Sequence, residues 1–199
     1  MALIAVRGLS AVPVALTWVR IALGPGVIVL ALVWPHPGAF AACLIAAFLS
    51  DVFDGILARR LGVSTPNLRR LDSVADSIFY ICALFVIWLL YPSIILKNAV
   101  FLLILLGLEI ARYALDLWKF KREASYHMWS SKVWGISLFI GFLSVLVFQN
   151  DGVYVTAAIV IGIVADLEGL LISMTLTSWH HDVPSIVHAL KIRARSNAI

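Results

Sequence analysis

Charge is what this sequence has least of. Asp, Glu, Lys and Arg make up 13% of its 199 residues, against 62% for the apolar types. A soluble domain of this size cannot bury that much apolar surface, and the apolar residues come in runs about as long as a bilayer requires. Apolar–polar alternation is missing as well, which argues against a transmembrane β-barrel. Cysteine is scarce. Cys43 and Cys82 both fall inside apolar runs, read as small buried hydrophobes, and offer no disulfide framework. There is no internal repeat, no low-complexity segment, no glycine-rich phosphate loop after a strand, and no serine–histidine–acid arrangement of a hydrolase. A cleavable signal peptide is not expected either: Arg7 and Arg20 break up the N-terminus, and the first apolar run is long enough to span.

What is left is an all-α, polytopic integral membrane protein, read as a single domain over residues 1–199. Six transmembrane helices are expected, over about 16–34, 39–60, 68–91, 94–118, 131–148 and 153–176. Gly24-Pro25-Gly26 is expected to interrupt the first, and Gly62 and Pro66 to break the chain between the second and third. Residues 1–14 read as a juxtamembrane segment lying along the surface. Residues 177–199 read as a tail ending in Lys191, Arg193 and Arg195.

Six spans put both termini and two loops on one side. That side collects Arg7, Arg59, Arg60, Arg69, Arg70, Lys119, Lys121, Arg122 and the tail bases, while the other holds essentially Lys97. The positive-inside rule then predicts an inner-membrane protein with both termini facing the cytoplasm. The formal net charge of +4 follows from that topology and from attraction to anionic membrane lipids, so nucleic acid is not an expected partner.

Four of the eleven carboxylates lie between Asp51 and Asp76, flanked by long apolar runs. An unpaired acid at the bilayer centre costs about 2.5–3.5 kcal/mol, so four would cost roughly 10–14 kcal/mol. Something must compensate them. On a helix, Asp51, Asp54, Gly55 and Ala58 fall at i, i+3, i+4 and i+7, which is one face. Asp72 and Asp76, at i and i+4, share a face of the next helix. Two neighbouring helices can therefore aim four carboxylates into one cavity. Hard oxygen donors without cysteine or a nearby histidine favour Mg²⁺ or Mn²⁺ over zinc. Gly55 and Ala58 remove bulk beside the acids, and Arg59 and Arg60 offer fork-shaped cations suited to phosphate. The plainer alternative is an Asp–Arg paired helix pair that only sets register.

The pattern Asp51-x2-Asp54-Gly55-x2-Ala58-Arg59-x8-Leu68-x3-Asp72-x3-Asp76 resembles the signature of the CDP-alcohol phosphotransferases. One position departs from it: Leu68 stands where that signature has its second glycine. Leu16-Thr17-x2-Arg20-x4-Pro25 resembles the start of the family's first span, and Ser131-Lys132 the opening of its fifth. The resemblance implies that Asp51, Asp54, Asp72 and Asp76 hold divalent metal in a two-metal site. It implies that Asp76 is also the general base, and that Gly55, Ala58 and Arg59 line the nucleotide site. The implied reaction is attack of an alcohol on the lipid-linked phosphorus of a CDP-activated donor, most naturally CDP-diacylglycerol, with release of CMP. A homodimer is implied too. Leu68 leaves three readings open: a shifted nucleotide pose, a different donor, or a non-catalytic CDP-lipid-binding relative. From another class, a cation-coupled transporter would also use intramembrane acids, but would show broken helices in matching halves.

Other polar residues stand apart. Arg112 and Lys132, at the ends of the fourth and fifth spans, are candidates for binding a phosphorylated acceptor, with interfacial snorkelling as the plain alternative. Glu109, at i, i+3 from Arg112, reads as its ion-pair partner. Asp166 and Glu168 point roughly 200° apart on a helix and cannot share a cavity; one of them is expected to pair with a base on another span. His180, His181 and Asp182 read as loop surface rather than a metal cluster, since they lack a spaced third ligand.

Overall fold

In the computed structural model, residues 12–63, 65–123 and 126–196 are described. Eight helices follow one another among these described residues: α1 (Val12–Val33), α2 (Pro37–Arg60), α3 (Pro66–Leu90), α4 (Pro92–Lys97), α5 (Ala99–Phe120), α6 (Trp129–Leu146), α7 (Val153–Thr175) and α8 (Ile186–Ser196). No strand occurs among the described residues. The chain is all-α.

Local chemistry sets the helix ends around the acidic stretch. Pro37 opens α2, and His36 Nδ1 caps it by accepting from the Gly38 N–H at 3.1 Å. The same helix stops in a Schellman turn. Gly62, at φ +66°, supplies the left-handed residue, its N–H bonding to Arg59 O (3.3 Å) while the Val63 N–H bonds to Ala58 O (3.0 Å). Arg59 and Arg60 occupy the last turn, where cations suit the helix dipole. Thr65 then caps α3, its hydroxyl oxygen accepting from the Leu68 N–H at 3.2 Å, with Pro66 in the first turn. The expected breakers, Gly62 and Pro66, thus work as one stop and one start, four residues apart, which fixes where each helix presents its acids.

Among the described residues, five helices are long and apolar enough to cross a membrane: Val12–Val33, Pro37–Arg60, Leu68–Leu90, Trp129–Leu146 and Val153–Thr175. The fourth expected span differs in detail. It divides at Asn98 into α4 and α5, and α5 carries Glu109, Arg112, Asp116 and Lys119. Those charges are met internally. Arg112 pairs with Glu109, Tyr126 Oη donates to Asp116 at 3.3 Å, and Lys119 Nζ donates to the carbonyls of Ser173 (2.8 Å) and Met174 (3.0 Å). With its charges paired, a 22-residue helix about 33 Å long is a fitting sixth span. Apolar side chains such as Ile81 and Leu103 stand 66% and 67% exposed, while Arg20, Asp54, Asp116 and Asp166 are buried. This inverted polarity belongs to a multi-pass membrane protein.

Contacts divide the chain into two compact units. One comprises residues 1–94 and 142–150, the other 95–141 and 151–199. In the first, α1 packs along both α2 and α3. Its buried stripe runs Thr17, Arg20, Gly24, Val27, Ala31, and the facing helices bury Ala47, Ala58, Ala75 and Ala83, small residues that let backbones approach. Gly-Pro-Gly does not interrupt α1 after all. The helix runs through Pro25 because Gly24 is wedged against α3, where an added Cβ would lie 3.3 Å from both Cys82 Sγ and Ile78 Cγ2. In the second unit α7 packs on α5 and α8. The expected tail contains α8, whose Ala189 is buried with Tyr126, Met128, Ile172, Leu176 and Val183, flanked by Ile186 and Ile192. Most of the juxtamembrane segment lies outside the described residues.

Gly24→Leu is expected to push α1 off α3 and lose about 1–3 kcal/mol by overpacking. Gly26→Ala, with nothing within 4 Å of its Cβ, is expected to be neutral. Thermal melting of the two variants in detergent checks the contrast; equal melting would contradict this packing.

Candidate functional site

The acids of α2 and α3 meet around a residue of α1. Arg20 is 1% exposed, and its guanidinium reaches all four carboxylates. Nη1 lies 3.1 Å from Asp51 Oδ1 and 2.9 Å from Asp72 Oδ1, and it also pairs with Asp76; Nη2 pairs with Asp54. Nε donates to Ser50 Oγ at 3.4 Å, and that hydroxyl in turn donates to Ala47 O at 2.7 Å. Thr17, one turn before Arg20, donates to Pro13 O at 3.0 Å and lies 3.4 Å from Asp54 Oδ2. Three helices are therefore joined by one planar cation. Helical phase put Asp51 and Asp54 on one face and Asp72 and Asp76 on another, as the spacing predicts; the close approach of α1 adds the guanidinium.

The four acids are not equivalent. Asp54 is buried beside Arg20 and Thr17. Asp51, Asp72 and Asp76 keep 33–42% of their side chains exposed, and one carboxylate oxygen from each lies within 4.8 Å of the others. These three form the only such candidate metal group among the described residues. Their donor set is all carboxylate oxygen, which suits a hard divalent cation. Charge agrees: four carboxylates face one guanidinium, an excess of three negative charges that a divalent ion reduces.

The neighbouring candidates fall as follows. A Cβ added at Gly55 would meet Arg59 Nη1 at 3.4 Å, so the Arg59 guanidinium lies across the glycine. Ala58 is buried on the Asp54 side of α2. Leu68 is half-buried in the first turn of α3, with its N–H taken up by Thr65. Arg112 and Lys132 belong to the second unit. Arg112 Nη2 donates to both Glu109 oxygens at 2.7 and 2.8 Å and lies 3.7 Å from buried Asp166. The expected i, i+3 pair is present, and Asp166 has its base on another helix. Lys132 Nζ sits 4.4 Å above the Trp129 ring. Glu168 faces elsewhere, accepting from Ser130 Oγ (2.6 Å) and from the Ile186 N–H at the start of α8 (3.1 Å). His181 stacks on Trp179, and His180 bonds within its own loop. Between α5 and α6 the buried Tyr126 hydroxyl is raised by burial to about 12, so it stays protonated and can donate to Asp116.

The sequence model of the CDP-alcohol phosphatidyltransferase family matches residues 10–186. The chain belongs to that family. No curated protein and no solved structure matches it. As a CDP-alcohol phosphatidyltransferase it transfers a phosphatidyl group from a CDP-activated donor to an acceptor in phospholipid synthesis. The match ends where α8 begins, so that helix lies almost wholly outside the family region. In the sequence Arg20 interrupts the N-terminal apolar stretch and belongs to the resemblance to the family's first span, but nothing there places it among the four acids. A lone base in a long apolar run was the signal for more, because an intramembrane arginine needs an acidic partner.

The excess of negative charge has a measurable consequence. Asp72 is attracted by Arg20 and repelled by its neighbours Asp51 and Asp76, at about 3–4 kcal/mol per pair 4.8 Å apart for an effective dielectric near 20, before solvent screening. Its one-third exposure lowers the net effect. Asp72→Asn keeps an acceptor for Arg20 and is expected to raise stability in EDTA by about 1 kcal/mol, or ~2–4 °C in Tm. A lower Tm than wild type would contradict a charge excess at this site.

Proposed function

We propose that this phosphatidyltransferase uses CDP-diacylglycerol as donor and depends on Mg²⁺ or Mn²⁺. The observation that carries the reading is the gathering of Asp51, Asp72 and Asp76 from two helices within 4.8 Å, in a member of this family. Those three residues, with Asp54 behind them, are the proposed ligands. The bound ions would supply charge neutralisation on the diphosphate, in a two-metal arrangement.

The chain's own residues account for the rest. Asp76 accepts the proton of the acceptor alcohol as its oxygen bonds to the lipid-linked phosphorus. The bond from that phosphorus to the bridging oxygen breaks, and CMP leaves with the oxygen. Gly55 leaves the α2 backbone open beside the acids, and Arg59, held across it, offers its guanidinium to the nucleotide's phosphate. Ala58 keeps the same face of α2 free of bulk. The exposed apolar helix surfaces suit a donor whose acyl chains stay in the membrane while its headgroup meets the acids. Arg112 and Lys132 are the proposed acceptor-binding residues, the first oriented by Glu109 and the second by Trp129. The concentration of bases on one side of six spans supports a cytoplasmic active site, with both termini on that side. A homodimer completes the proposal.

Purified protein in detergent with CDP-diacylglycerol, Mn²⁺ and a panel of plain and phosphorylated alcohols is expected to release CMP with one acceptor class. EDTA should stop release, and Asp76→Asn should slow it by about 10²–10⁴-fold, the usual worth of a general base. Release that survives Asp76→Asn, or no release with any acceptor, would contradict the assignment.

A further inference from the structure

Arg20 stands among the same oxygens that a metal ion would need. We propose that Arg20 competes with divalent metal for the acids: it gathers the four carboxylates by itself and weakens metal binding by holding their oxygens. The inference rests on the metal-dependent reading above and concerns how strongly the site is loaded.

The geometry carries it. Nη1 alone engages Asp51, Asp72 and Asp76, the three residues whose oxygens lie within 4.8 Å of one another. An ion seated among those oxygens must share or displace bonds that the guanidinium already makes. Arg20 cannot yield by losing its proton, because a guanidinium stays charged in proteins. Nor can it easily swing away. It is 1% exposed, its Nε is tied to Ser50, and its other arm is tied to Asp54, which Thr17 flanks. Charge acts in the same sense. With Arg20 the four acids carry three net negative charges, so two divalent ions leave the site with one positive charge, suited to an anionic diphosphate. Without Arg20 the same two ions leave it neutral, so the protein itself resists them less. A residue that only set helix register would leave metal affinity unchanged.

The test measures Mn²⁺ binding to detergent-purified protein by calorimetry, and melting in EDTA and in Mn²⁺, for wild type, Arg20→Met and Arg20→Lys. Arg20→Met is expected to bind Mn²⁺ at least tenfold more tightly. It should also gain more Tm from Mn²⁺ than wild type does, because ligand stabilisation grows with affinity. Arg20→Lys, with a point charge that cannot fork across the acids, should fall between. Equal affinity in wild type and Arg20→Met, with equal gains in Tm, would overturn the inference while leaving the metal reading intact. If neither binds Mn²⁺, both fail. Should Arg20→Met not fold in EDTA, Arg20→Lys decides: tighter binding than wild type supports competition, and unchanged binding overturns it.

Discussion

A buried guanidinium held by four carboxylates is the constraint on which the first unit depends. Any one of those charges alone in an apolar helix would be costly, at about 2.5–3.5 kcal/mol near the bilayer centre. Together they are tolerable only if α1, α2 and α3 meet at the level of Arg20. The small residues around the stripe meet that demand: Gly24 lets α1 lie against Cys82 and Ile78 of α3, and Ala47, Ala58 and Ala75 are buried in the helices that face α1. The Schellman turn at Gly62 and the Thr65 cap hold the two acidic helices in phase across a short link. Packing and charge therefore specify the same arrangement, as consistency between levels requires.

The second unit obeys the same rule without gathering acids. Each charged residue of α5 finds its partner inside the unit: Glu109 and Asp166 for Arg112, Tyr126 for Asp116, backbone carbonyls for Lys119. Glu168 is directed to the N-terminus of α8, where the free backbone N–H groups of a helix favour an anion. Polar groups inside and apolar groups outside describe both units, and that is what a lipid solvent selects.

Much of this was legible in the chain. The length of the apolar runs predicts the spans, and the spacing of Asp51, Asp54, Asp72 and Asp76 predicts two acidic faces, because both follow from local periodicity. Arg20 was not legible in the same way. Its partners lie 30 to 56 residues away, and no local pattern states which helix an isolated base will face. Gly24-Pro25-Gly26 reads as a break by propensity, yet tertiary packing of Gly24 carries the helix through it. The division at Asn98 leaves no strong local signal in an apolar run. For α8 the signal was present: Ile186, Ala189 and Ile192 recur at threes, but Lys191, Arg193 and Arg195 around Ile192 give the segment the look of a polar tail.

The account centres on one place in the molecule, the oxygens of Asp51, Asp72 and Asp76 beside Arg20. Anomalous diffraction from crystals of the protein grown with Mn²⁺ locates the ion directly. The account predicts anomalous density in contact with carboxylate oxygens of those three residues. Density confined to another cluster such as His180–His181, or none at the three acids under saturating Mn²⁺, would contradict it.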